Sequence, residues 1–335
     1  MPEVVTFGEI MMRLSPPGKK KLDQADHLDI LYSGAEANVS AALANWGIHA
    51  AHITRFPDNP LGLAATAAWR HLNVDMSFTA YSADRLGLYF VENGAMNRST
   101  NITYDRLPSS FSTIQKDSFD WEKILKDAKW FHWTGITPAL SQGAADCLLE
   151  ALKVANRKGI RVSADINYRS NLWQYEKKPG EVMEPLVALS HVIVAAETDT
   201  AKIFGIEGEA TEDGFRKIAG KMKERFGSME CLLSSRRETI SSSHNRLSGI
   251  LWNGADVLQT PTYEMDNIVE RIGSGDAFIA GYIYGYLKKW SDQQKIDFAT
   301  ASAVMKHSVE GDINRVSAGE ILDLVEGNTG GWIKR

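Results

Sequence analysis

The stretch Arg271-Ile272-Gly273-Ser274-Gly275-Asp276-Ala277-Phe278 opens a helical run that is expected to span Ala277–Lys289. Its two glycines let the backbone approach a ligand closely, and the first turn of a helix offers unpaired N–H groups to an anion. Asp276, in that same turn, is placed to take the proton of a hydroxyl group attacking a phosphate held there. An ordinary acidic helix start uses the same residue type, so the turn has to be read with its surroundings. It falls late in the chain, and Phe278 stands where a third glycine would complete G-x-G-x-x-G, which excludes a dinucleotide-binding domain of the Rossmann type.

Other chemistries are excluded by motif. The chain has no G-x-x-x-x-G-K-[ST], no H-R-D with D-F-G, no G-x-S-x-G and no H-E-x-x-H. Its eight histidines lack ligand spacing and read as packing or surface residues. The 335 residues are 44% hydrophobic and 24% charged with a net charge of −5, ordinary globular usage without the positive field that nucleic-acid binding needs. No apolar run reaches the roughly eighteen residues of a membrane span. The start, Met1 to Gly8, has no basic or apolar leader and reads as a first strand. Only Cys147 and Cys231 occur, far apart, which fits a reducing cytoplasm better than a disulfide scaffold.

Outward from the glycine turn the chain alternates short apolar runs with longer helical stretches. Val4–Phe7, Ala51–Thr54, Trp130–Trp133, Ile160–Asp165, Val192–Ala195 and Cys231–Ser234 read as buried strands. Ala35–Trp46, Leu61–Leu72, Gln142–Lys158 and Glu212–Phe226 read as helices, three of them followed by glycines (Gly47, Gly159, Gly227) expected to be left-handed caps. Such alternation implies a largely parallel sheet with helices on both faces. Arg246–Trp252 and Val257–Thr260 read as antiparallel additions, followed by two or three helices. Residues 76–107 break the pattern, with Leu86–Val91 and Asn101–Tyr104 but no helix between them. Both parities of the first run are apolar, as in a flap covering a ligand on one face and a second subunit on the other, or in an edge hairpin.

Three further groupings can carry chemistry. Asp165-Ile166-Asn167-Tyr168-Arg169 follows a strand, where open α/β sheets bind ligands, and a guanidinium there can hold a carboxylate or phosphate. Tyr104 and Arg106 form a polar pair at the end of the flap. Asn38 sits one turn into the helix opened by Gly34, an unfavourable interior position that invites a reason such as hydroxyl recognition.

Together these pieces resemble the PfkB (ribokinase-like) carbohydrate kinases, and among them the 2-keto-3-deoxygluconate kinases. The resemblance runs through Phe7-Gly8-Glu9-Ile10-Met11-Met12-Arg13-Leu14-Ser15-Pro16-Pro17-Gly18, Ser33-Gly34-Ala35-Glu36-Ala37-Asn38, Arg85-Leu86-Gly87, Tyr104-Asp105-Arg106 and Asp165–Arg169. It continues through Ser243-His244-Asn245-Arg246-Leu247-Ser248-Gly249, Gly273–Asp276, Lys306-His307 and Gly311-Asp312. It implies one three-layer α/β/α domain over 1–335 with a mostly parallel central sheet and a small β lid built from about 9–33 and 76–107. It further implies ATP with Mg²⁺, Gly273, Ser274 and Gly275 as an anion hole for the γ-phosphate, and Asp276 as the base for the C6 hydroxyl. Gly34, Asn38, Tyr104, Arg106, Arg169 and Asp312 would surround a sugar acid. Ser235, Arg237, His244, Asn245, Gly249, Lys306 and His307 would line the ATP site. Family members often pair through the lid, so a homodimer is expected, with no nucleic acid or membrane partner.

The choice of a sugar acid also has a physical basis. A neutral sugar needs no buried guanidinium, and burying one unpaired is costly, so Arg106 and Arg169 suit a substrate carboxylate. Other sugars, 2-keto-3-deoxygalactonate, fructose or ribose, are the alternatives within the enzyme class. Two departures stand out. Related kinases carry Asn-Glu-Glu-Asp where this chain has Ala196-Glu197-Thr198-Asp199, leaving Glu197 and Asp199 for Mg²⁺, and Glu270 replaces the usual Asp before the glycine turn. A raised Mg²⁺ requirement is the expectation. A binding-only protein has Ala196 as its sole support, because Asp276 and the glycines are kept.

Overall fold

The computed structural model describes residues 2–328. In chain order the strands are β1 (Val4–Phe7), β2 (Met11–Ser15), β3 (Asp29–Ser33), β4 (Ala50–Ile53), β5 (Arg55–Pro57), β6 (Ala80–Ser82), β7 (Leu88–Glu92) and β8 (Asn101–Asp105). The second half adds β9 (Trp130–Thr134), β10 (Arg161–Asp165), β11 (Val192–Val194), β12 (Cys231–Thr239), β13 (Asn245–Trp252), β14 (Val257–Gln259) and β15 (Tyr263–Met265). The main sheet runs β14-β13-β12-β11-β10-β9-β1-β4, with β15 also on β13. It is parallel from β4 to β12 and antiparallel beyond.

Strand periodicity splits the core in two. Val5, Phe7, Phe131, Trp133, Val162 and Ala164 face one helical layer, whereas Val4, Trp130, Val192 and Val194 face the other, against the Ala35–Asn45, Ser274–Leu287 and Asp292–Lys306 helices. Both sides of the central strands are thereby covered, as continuous apolar runs require. Buried His52 and His132 are neutral packing residues. His52 bonds Thr6 Oγ1 at 2.7 Å, His132 bonds Ser163 Oγ at 2.8 Å, and burial pushes both imidazoles down to about 3. Both cysteines are free, and no described helix is long and apolar enough to cross a membrane.

A second sheet, β3-β2-β7-β8, stands over the carboxyl ends of the parallel strands. Along β7, Tyr89 and Val91 are buried while Leu88 and Phe90 are half-buried. The apolar character of both parities has a source within one chain: Tyr89 and Val91 pack with Met11 and Ile272, and Leu88 packs on the cluster of Ile10, Met12, Ala37 and Trp69. Strand β8 is exposed along its whole length.

Two expectations are corrected. Gly47 and Gly159 take left-handed conformations after their helices, but Gly227 does not. There the C-cap Phe226 leaves the helix without a left-handed residue, its amide donating to the Met222 carbonyl at 2.7 Å, and the Lys223 ammonium donates to the carbonyls of Gly227 and Met229 beyond the helix end, each at 2.7 Å. The late helix begins at Ser274 rather than Ala277, with Gly273 at φ +83° as its N-cap. Ser274, Gly275 and Asp276 are therefore its first turn, not a loop before it.

Candidate active site

A cavity of about 570 Å³ lies between the second sheet and the carboxyl ends of the main strands. Its floor is the turn Gly273–Asp276. Gly273 is required there: its φ is positive, and a Cβ would lie 1.8 Å from the main-chain oxygen of Asp312. Gly34 is required by close approach, since a Cβ would lie 2.0 Å from the Glu9 carbonyl. Gly275 meets nothing within 4 Å of an added Cβ and simply opens into the cavity.

Asp276 Oδ2 accepts from Asn38 Nδ2 at 2.8 Å, so the helix position that sequence reasoning found odd holds the candidate base. Burial, then the negative fields of Asp165, Asp312 and Glu36, raise the Asp276 carboxyl to about 8 against the Asn38 hydrogen bond. Arg237, exposed toward the cavity, donates to Ser274 Oγ in a short contact. Arg271, Arg237 and Ser235 all line the cavity. Two guanidinium groups beside helix-terminal amides are a set of donors suited to a polyphosphate.

Gly34, Asn38, Tyr104, Arg106, Arg169 and Asp312 line the same cavity, as do Asp199 and Ala196. Arg106 is not an unpaired buried cation: its Nε donates to Glu9, which also accepts from Ser109 Oγ. Its burial therefore needs no substrate carboxylate, and because Arg169 is exposed the burial argument above is corrected for both arginines. Arg169 is exposed on the rim. Asp312 has both oxygens engaged, Oδ1 by Arg13 and Oδ2 by Ser33 and Tyr89, each of the latter at 2.6 Å.

Six of the residues named from sequence lie outside the cavity lining. Glu197 accepts from Arg236 at 2.9 Å. His244 is 2.8 Å from Glu264, and the Asn245 amide donates to the Ser241 and His244 carbonyls. Gly249 packs on Thr300, where a Cβ would lie 2.1 Å from its Oγ1. Lys306 and His307 are buried, bonded to the main-chain oxygens of Val309 and Ala303.

Two residues quoted from the sequence, Asp165 and Glu36, had been given no role of their own. Asp165 lines the cavity, and burial and Asp199 raise its carboxyl to about 7. Asp199, its own carboxyl raised by burial, lines the same cavity, and two carboxyls so placed suit a divalent cation completed by substrate phosphates. Among the described residues no group of three or more His, Cys, Asp or Glu could hold a metal alone. Glu36 also lines the cavity, its Oε1 taking bonds from Thr134 and Thr137 hydroxyls at 2.7 and 2.8 Å. The signal for Asp165 was its place at a strand end. Glu36, on a helix of small residues, offered none.

Comparison with known proteins agrees with this geometry. The model of the "pfkB family carbohydrate kinase" matches residues 1–318. A 2-dehydro-3-deoxygalactonokinase of Haloferax volcanii is 31% identical over 329 residues, 98% of each chain. A 2-dehydro-3-deoxygluconokinase of Bacillus subtilis is 23% identical, over 96% of this chain and 94% of that one. The crystal structure of 2-dehydro-3-deoxygluconokinase from Thermotoga maritima superimposes with a TM-score of 0.93 at 40% identity, covering 98% of this chain and 100% of that one. With fold, turn and whole-chain similarity in agreement, the protein is a sugar kinase that belongs to the PfkB family of carbohydrate kinases.

Proposed function

We propose that this kinase transfers the γ-phosphoryl group of ATP to the C6 hydroxyl of 2-keto-3-deoxygluconate (2-dehydro-3-deoxygluconate), making 2-keto-3-deoxy-6-phosphogluconate. The observation that carries the reading is Asp276, fixed by Asn38 in the first turn of a helix whose amides and neighbouring Arg237 and Arg271 face the same cavity. Asn38 occupies Oδ2, which leaves Oδ1 to receive the proton of the attacking hydroxyl. The hydroxyl oxygen bonds to the γ-phosphorus as the bond to the ADP oxygen breaks, and the two guanidinium groups and the turn amides meet the charge that develops. Asp165 and Asp199 would hold Mg²⁺ together with the phosphates, where it neutralises their charge.

Arg169 carries the sugar-acid half of the reading. Arg169→Gln is expected to raise KM for the acid roughly 10–100-fold, the range of a charge-assisted pair, with KM for ATP changed less than about threefold. Equal losses on 2-keto-3-deoxygluconate and on a neutral sugar would overturn that role. A second reading, 2-keto-3-deoxygalactonate as substrate, is supported by the name of the Haloferax relative. Steady-state kinetics on both epimers, fructose and ribose decide between them. Turnover limited to fructose or ribose overturns both acid readings and leaves the kinase.

Ala196 is the N-cap of the Glu197–Phe204 helix and supplies no side-chain cap. Ala196→Asn is expected to add about 1 kcal/mol of stability through the missing cap and to lower the Mg²⁺ concentration for half-maximal rate. A stabilised variant with unchanged Mg²⁺ dependence would confine Ala196 to the helix end.

A further inference from the structure

Arg13 is 2% exposed and lies outside the cavity lining, yet it joins the two sheets' functional parts. It sits on β2 of the smaller sheet. Its Nη2 donates to Glu270 Oε2 at 2.6 Å and its Nη1 to Asp312 Oδ1. Both arms end at the glycine turn. The other Glu270 oxygen, Oε1, accepts from the amides of Arg271 and Ile272 at 2.9 and 3.2 Å, the two peptide units immediately before Gly273. Asp312 supplies the main-chain oxygen that packs on Gly273. The same side of the smaller sheet touches the turn through apolar groups, since Met11, Tyr89 and Val91 pack with Ile272, and Tyr89 and Ser33 bond Asp312.

We infer that Arg13 is a positioning residue for phosphoryl transfer: its planar fork locks Glu270 and Asp312, so that docking of the smaller sheet sets the geometry of the Gly273–Asp276 turn. The longer reach of Glu270 has a use here, because one carboxylate must span from the guanidinium to two successive amides. A guanidinium can serve two carboxylates at once in fixed directions, whereas an ammonium, a single donor centre on a shorter, flexible stem, does not fix the two in those directions. The sheet that closes over the sugar and the turn that receives the phosphoryl group are thereby tied by one buried ion network, and a change in either is felt by the other.

The inference rests on the reading that the turn receives the transferred group, and the test separates the two. Three proteins are compared: wild type, Arg13→Lys and Gly275→Ala, using whichever sugar the wild type phosphorylates. The readouts are kcat per folded protein, sugar affinity by titration, and affinity for MgADP with aluminium fluoride, a mimic of the group in flight. Arg13→Lys keeps the charge and protects folding. It is expected to lower kcat and aluminium-fluoride affinity together by tenfold or more, with sugar affinity changed less than threefold. If Arg13→Lys lowers only the melting temperature and its folded fraction turns over at the wild-type rate, the inference fails. It also fails if sugar affinity drops as far as kcat. If Gly275→Ala leaves kcat and aluminium-fluoride affinity untouched, the reading of the turn fails, and the inference with it.

Discussion

Asp276→Asn is expected to lower kcat by about 10²–10⁴-fold, the usual contribution of a positioned general base, while sugar and ATP still bind. The same change is expected to raise the melting temperature. The Asp276 carboxyl is raised to about 8 in the folded chain, first by burial and then by neighbouring carboxyls, against an unfolded value of about 3.9. Between pH 4 and 8 the native state therefore keeps a proton that the unfolded chain has released. Stability from this group is fully present below pH 4 and is lost as pH rises through 8. Asparagine removes that slope and keeps the shape, so the variant's advantage should be larger at pH 8 than at pH 5. Thermal melts at the two pH values and steady-state kinetics check both parts. A variant that retains more than a tenth of the wild-type kcat would remove Asp276 as the base. A melting temperature that falls at pH 8 would show that its carboxylate is better compensated than its surroundings indicate. For the wild-type enzyme without bound ligands, kcat/KM should climb as pH rises toward 8, because only the ionised carboxylate can take the proton.

The second large effect is a contrast between two glycines two residues apart. Gly273→Ala places a methyl group against the Asp312 carbonyl and forces a side chain into φ +83°. It is expected to cost about 2–3 kcal/mol and to drop kcat roughly a hundredfold as the turn shifts. Gly275→Ala meets nothing in the protein and lies inside a helix, so stability should hold or gain roughly 0.5 kcal/mol. Its methyl projects into the cavity where the phosphoryl group would approach the amides. A displacement there of about an ångström is expected to cost from tenfold to a hundredfold in rate. Chemical denaturation and kcat measured on both variants separate backbone shape from ligand approach. If Gly275→Ala is fully active, the amides of this turn do not meet the phosphoryl group.

Much of this molecule was open to reading from local pattern. The apolar runs became the six central strands within one residue at most boundaries, except that β12 continues five residues past Ser234 into an antiparallel ladder with β13. That extension is polar and partly exposed, so hydrophobic periodicity gives no sign of it. Asp276, Gly273 and Asn38 were legible for a different reason. Gly273 and Asn38 each depart from a local rule, a left-handed glycine before a helix and an amide where a helix prefers Ala, while Asp276 is an ordinary acidic helix start marked only by the glycines beside it. Local expense of that kind marks a site before any neighbour is known.

Charges read differently, because a side chain's role depends on what meets it across the fold. Arg106 and Arg169 look alike in the chain, yet Glu9, 97 residues away, takes up Arg106 while Arg169 stands exposed on the rim. Glu197 and Asp199 are two residues apart, yet Arg236 captures the first and the cavity the second. Arg13 finds Glu270 and Asp312 at separations of 257 and 299 residues. The alternation of strands and helices and the glycine turn with its carboxylate were determined by the sequence itself, since they follow from periodicity and backbone sterics within a few residues. Which cations remain free for phosphate or carboxylate was decided only by the tertiary structure. Ion pairing follows strand order and the docking of one sheet on another, and no local spacing encodes either.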